Sequence, residues 1–85
     1  MLKINQELVL EGLDFVVSDG EEYLYTLRIN PDYDIFFVCG VDVYELDFPS
    51  ENEFNAFLDA LPSELEKLIM DYILEKLIMD YILGV

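Results

Sequence analysis

Histidine is absent from this chain of 85 residues, which removes the commonest general base near neutral pH and a common metal ligand. The single cysteine, Cys39, excludes both an internal disulfide and a thiolate-rich zinc site. There is no glycine-rich phosphate loop and no Gly-x-Ser-x-Gly nucleophile turn. Carboxylates are abundant, yet nothing in their spacing singles out an acid and a base. Neither catalytic residues nor a cofactor nor a resident metal is expected. One metal pattern comes near: Asn30, Asp32 and Asp34 match the first three ligand positions of a calcium loop. Its sixth position is then Ile35 where glycine is required, and its twelfth is Val41 where glutamate is required. These residues are better read as turn formers.

Cations are nearly as scarce. Only 4 Lys+Arg stand against 19 Asp+Glu, for a net charge of −15. Phosphate binding depends on basic side chains, so direct nucleic-acid binding is disfavoured, as is adsorption to anionic lipid. The plain reading of the acidity is solubility. The sharper one is an array of carboxylates that imitates the phosphate spacing of DNA or meets a basic partner, since complementary charge steers association. Cation binding is a third, minor reading.

Long apolar runs are missing too. The N-terminal stretch MLKINQELVLEG lacks the apolar stretch of a signal peptide, and the apolar C-terminal segment is interrupted by Asp71, Glu75, Lys76 and Asp80. No run approaches the ~20 residues needed to span a bilayer. With no leader and no cysteine framework, the expected setting is the cytoplasm.

What is present is the material of a packed domain: 54% hydrophobic residues, 14% aromatic, only 4 Gly and 3 Pro. A disordered acidic tail would be poor in aromatics. One small domain over 1–85 is expected, with a sheet over 1–48, a helix over 50–61 and a long helix over 63–83. Leu13, Phe15 and Val17 alternate with Asp14 and Ser18, and Tyr23, Tyr25, Leu27 and Ile29 with Thr26 and Arg28, which is the period of half-buried antiparallel strands. Asp19-Gly20 marks a hairpin turn between them, and Asn30-Pro31-Asp32-Tyr33 a second turn. The run from Asp34 to Phe48 reads as one long strand with a bulge or bend at Gly40. Leu2 to Leu10 supplies a short extra strand, giving a meander of three to four strands. Within the apolar run Phe36-Phe37-Val38-Cys39 the thiol reads as a small buried hydrophobe. The strand tyrosines read as sheet cover in preference to a binding face.

Ser50 and Glu53 form a capping box, after which Phe54, Phe57, Leu58 and Leu61 fall on one helical face. Pro62 ends that helix, and a second capping box, Ser63 to Glu66, starts another that should stop at Gly84. The order is α+β: antiparallel strands, then two C-terminal helices.

The last helix contains a tandem duplication: EKLIMDYIL over 66–74 recurs letter for letter over 75–83. At ~100° per residue, nine residues turn a helix by about 900°, or two and a half turns, so the second copy repeats the pattern on the opposite side. Leu61, Leu65, Leu68, Ile69 and Tyr72 share one face. Met70, Leu74, Leu77, Ile78, Tyr81 and Ile82 gather on the other, an apolar stripe expected to bury itself between chains in a homo-oligomer or domain swap. The alternative is a helix that kinks or frays after Leu74 and folds back. A replication slip, a cloning artefact or deliberate lengthening of the helix would leave the same signature.

The expected function is that of a non-enzymatic, acidic protein-interaction module. An inhibitor, antitoxin or immunity-type protein meeting a basic, nucleic-acid-binding protein surface suits this size and charge. Its expected contact residues are Asp19, Glu21, Glu22, Asp32, Asp34, Asp42, Glu45, Asp47, Glu51 and Glu53. A structural or assembly protein working through the apolar helix is the other reading.

Overall fold

A computed structural model describes the backbone of residues 1–82 and the side chains of residues 1–75. Met1–Asp47 and Phe48–Val85 form two compact units.

The first unit is one antiparallel sheet of five strands in the order β1-β2-β3-β4-β5. The strands are β1 Leu2–Val9, β2 Gly12–Asp19, β3 Glu22–Ile29, β4 Ile35–Cys39 and β5 Asp42–Leu46. The strand count therefore exceeds the three to four expected, for two reasons. Leu2–Val9 is a full strand of eight residues, paired along its whole length with β2. Gly40 is a turn residue and not a bulge: Gly40-Val41 connects the paired residues Cys39 and Asp42 and divides the long apolar run into two strands. Gly20-Glu21 does the same between Asp19 and Glu22. Both glycines have φ of 62°, with the positive value confined to the first central residue, as in a type II′ hairpin turn.

Residues opposite one another across the ladders share a face. Phe15, Val17, Leu27, Ile29 and Ile35 lie on one face and are buried. Tyr25 stacks on Phe37 on this same face, with ring centroids 5.7 Å apart. The other face carries the row Glu7, Asp14, Arg28, Phe36 and Glu45. One irregularity sets the register: Val17 faces Tyr25 but Ser18 faces Tyr23, so Leu24 has no opposite residue and forms a β-bulge. The bulge moves Tyr23 off the face of Tyr25, where simple alternation had put it. The Tyr23 hydroxyl lies 2.9 Å from Thr26 Oγ1 and donates to the Val38 carbonyl at 3.2 Å. Cys39 ends β4 beside the turn and is exposed, contrary to the buried position expected from its apolar neighbours.

The second unit holds α1 Glu51–Ala60 and α2 Ser63–Ile82. Ser50 caps α1: its Oγ accepts from the Glu53 N–H at 3.2 Å. Phe48 packs across Pro49 onto Phe54 and Phe57, with centroids at 5.3 and 4.9 Å, fixing the chain's entry into the helix. Leu61 is extended, with ψ of 156°, as the following proline requires. The first helical bond of α2 runs from Glu66 N–H to the Pro62 carbonyl at 2.9 Å. Pro62 thus stands at the helix boundary and Ser63 lies inside the first turn, so Ser63 is not the cap. Leu58, Leu65 and Ile69 are buried.

Candidate functional site

All ten carboxylates expected to form the contact surface are exposed. The sheet does not gather them into one patch. Asp19, Glu21, Glu22 and Asp42 sit at the end of the sheet where β2–β3 and β4–β5 turn, and Asp32, Asp34 and Asp47 at the opposite end. Glu45 lies on the sheet face, directly opposite Phe36. Glu51 and Glu53 occupy the first turn of α1 in the second unit, where negative charge complements the helix dipole.

Local partners engage some of these acids. Asp19 Oδ1 accepts from the N-terminal ammonium at 2.6 Å. In the β3–β4 loop the Asn30 side chain does the organising: its Oδ1 accepts from the N–H groups of Asp32 at 3.0 Å and Asp34 at 2.8 Å. Asn30 Nδ2 donates to Asp34 Oδ2 at 3.3 Å. The backbone closes the same loop, through Asn30 N–H to the Asp34 carbonyl and Tyr33 N–H to the Asn30 carbonyl, both at 3.0 Å. Asn30 and Asp34 therefore act as turn formers, as the failed calcium pattern implied. Tyr33 takes a φ of 68° inside this hydrogen-bonded loop.

One constellation went unseen in the sequence. Asp14 and Arg28 stand opposite each other on β2 and β3, and Arg28 Nε and Nη2 donate to Asp14 Oδ1 and Oδ2 at 2.6 and 3.0 Å. Asp14 is buried and the Arg28 side chain is 19% exposed. The bidentate bond to Asp14 raises the guanidinium's pKa, with a smaller push from the nearby Glu11 carboxylate. Beside the pair lies a cavity of about 200 Å³ lined by Glu11, Arg28, Asn30, Phe36 and Val43. Pockets for drug-sized ligands begin near ~300 Å³, so this one suits a single side chain. Among the described residues no group of three or more acidic or thiol side chains could hold a metal ion.

The helical stripe is placed in part. α2 remains helical through the junction of the two copies, so it does not stop at Leu74. Met70 is half-buried and Leu74 is 50% exposed. The side chains of Leu77, Ile78, Tyr81 and Ile82 lie outside the described residues, as does the expected stop at Gly84. Among the described residues no helix is long and apolar enough to cross a membrane.

No protein-family model, no curated protein and no solved structure matches the chain.

Proposed function

We propose that this chain is a non-enzymatic, acidic interaction module that binds, and inhibits, a protein with a basic surface of the nucleic-acid-binding kind. The observation that carries this reading is the imbalance of exposed charge. All ten carboxylates reach solvent, whereas Arg28 is tied to Asp14, the N-terminal ammonium is tied to Asp19, and the other exposed cations among the described residues are Lys3 and Lys67. Such a surface attracts a basic partner over roughly a Debye length, ~8 Å at physiological salt, and repels nucleic acid itself. With the acids spread over both ends of the sheet, a concave or multi-point basic partner suits them better than a single short peptide. The test is capture from a cell extract at low and high salt, with the retained protein then purified and its affinity measured. Binding that weakens steeply with salt, and weakens further when Asp32, Asp34 and Asp47 become asparagine, supports the proposal. Salt-insensitive binding overturns it in favour of the tyrosine and phenylalanine surface.

The continuity of α2 through the repeat favours a second reading, assembly through the lengthened helix. Removing Glu75 to Leu83 separates the two: partner binding survives under the first and assembly is lost under the second.

A further inference from the structure

The sheet is open, and its two edges are β1 and β5. An edge strand presents unpaired N–H and C=O groups, and proteins blunt such edges with proline, bulges or charged side chains. β1 has neither proline nor bulge, pairing with β2 without a register shift over eight residues, and the two charges it does carry, Lys3 and Glu7, are opposite in sign. It is also exposed, with Leu8 at 88%.

The direction of its free groups follows from one bond. In antiparallel pairs, opposed residues exchange hydrogen bonds at alternate positions. The Met1 carbonyl accepts from Gly20 N–H at 3.2 Å, so the odd-numbered residues bond inward to β2. Leu2, Ile4, Gln6 and Leu8 therefore aim their backbone groups outward. A second strand must align outward residues with outward residues, which restricts two-fold pairings to those centred on a residue and excludes those centred between two.

Charge then selects among these. Centred on Asn5, the pairing sets Lys3 opposite Glu7 of the second copy, twice by symmetry, and Leu2 opposite Leu8. Centred on Gln6 it sets Lys3 against Val9 and Glu7 against Asn5; centred on Ile4, Lys3 faces Asn5. Only the Asn5-centred alignment satisfies both charges. The Lys3–Glu7 pairs fall at the positions without hydrogen bonds, where opposed Cα atoms approach to about 4.5 Å and side chains interact most closely. The other edge lacks this complementarity, since β5 carries Asp42 and Glu45 and no cation.

We propose that β1 is a self-recognition edge: two copies of the chain pair β1 with β1 in antiparallel fashion about an axis at Asn5, joining their sheets into one. This interface is independent of the helical stripe and of the acidic surface.

The test uses sedimentation of the full chain over a range of concentrations. Lys3→Glu sets glutamate against glutamate twice and should raise the dimer dissociation constant at least tenfold. Lys67→Glu, with the same change in net charge on α2, should leave it within about twofold. Combining Lys3→Glu with Glu7→Lys should restore the dimer, because the exchanged pairs attract again. All three substituted side chains are exposed, so the fold is retained. A second measurement fixes the register: in a Cys39→Ser background, Asn5→Cys should crosslink on mild oxidation, since the two thiols face each other across the axis. A monomer at every concentration, no recovery in the charge-exchanged double variant, or crosslinking of Gln6→Cys in place of Asn5→Cys would each overturn the proposal.

Discussion

At Gly12 the choice of residue is decided by backbone geometry. Its φ is +151°, and a Cβ there would collide with the carbonyl oxygen of Ile29 on β3. That oxygen and the next nearest atoms, Asn30 Cα and the Ile29 carbonyl carbon, are all backbone, so none can turn aside. Gly12→Ala is expected to cost about 2 kcal/mol or more in chemical denaturation, combining an unfavourable dihedral with displacement of a paired strand. Wild-type stability in that variant would mean that β2 and β3 are not so closely opposed. Tyr25 supplies a pH dependence. Burial raises its pKa above the ordinary 10.0, so the folded chain holds its phenolic proton where the unfolded chain releases it. The sign is therefore fixed: this contribution is whole below pH ~10 and is lost as pH climbs from there through the folded value. Tyr25→Phe should flatten part of the alkaline fall in stability, and an unchanged alkaline limb would count against it.

At the scale of elements, the position of one residue, Leu24, decides which side chains meet. Turn arithmetic from Asp19 opposite Glu22 alone would set Asp14 against Leu27, and the bulge at Leu24 brings it to Arg28 instead. Deleting Leu24 removes only the extra residue, so Ser18 stays opposite Tyr23 and Asp14 opposite Arg28, and the ion pair should survive in a regular ladder. Asp14→Ala, by contrast, leaves the largely buried Arg28 without its partner and should cost about 3 kcal/mol; a variant as stable as the parent would show that the pair contributes little. Leu24 also explains what the sequence could and could not disclose. Alternation around Phe15, Val17, Leu27 and Ile29 made β2 and β3 legible, and Ser50 with Pro62 bounded α1. Leu24 has no glycine beside it, and although an apolar residue between Tyr23 and Tyr25 interrupts the alternation, that alone does not locate a bulge, so the ion pair it creates stayed hidden. Gly40 was misread for a related reason: Cys39 and Val41 are both apolar, and no Asp or Asn advertises the turn. Of the candidate surface, the exposure of the acids was legible from composition, whereas their division between two ends of the sheet depends on strand count. The extra turn at Gly40 is what sends Asp42 to one end and Asp47 to the other.

For the molecule as a whole, net charge is the dominant unbalanced quantity. A charge of −15 on 85 residues cannot be neutralised internally by 4 Lys+Arg, one of which already serves Asp14. Folding brings these carboxylates closer together than in the expanded chain, so self-repulsion opposes the compact state. Salt weakens that repulsion as the Debye length falls from about 30 Å at 0.01 M to about 3 Å at 1 M. Sodium chloride should therefore raise the thermal midpoint across this range, and each ~1 kcal/mol regained reads as roughly 4–8 °C for a chain of this size. Chloride is the proper salt for the measurement, because sulfate strengthens apolar burial in any protein and would mimic the effect. The same screening separates the proposed contacts. Attachment to a basic partner should weaken with salt, because opposite charges across that interface are what salt screens. β1 self-pairing should gain from it, because two copies of the chain repel each other everywhere except at Lys3 and Glu7. A midpoint that falls with salt would mean that attractive pairs outweigh repulsion, and the reading of the acidic surface as an uncompensated, partner-facing field would fall with it.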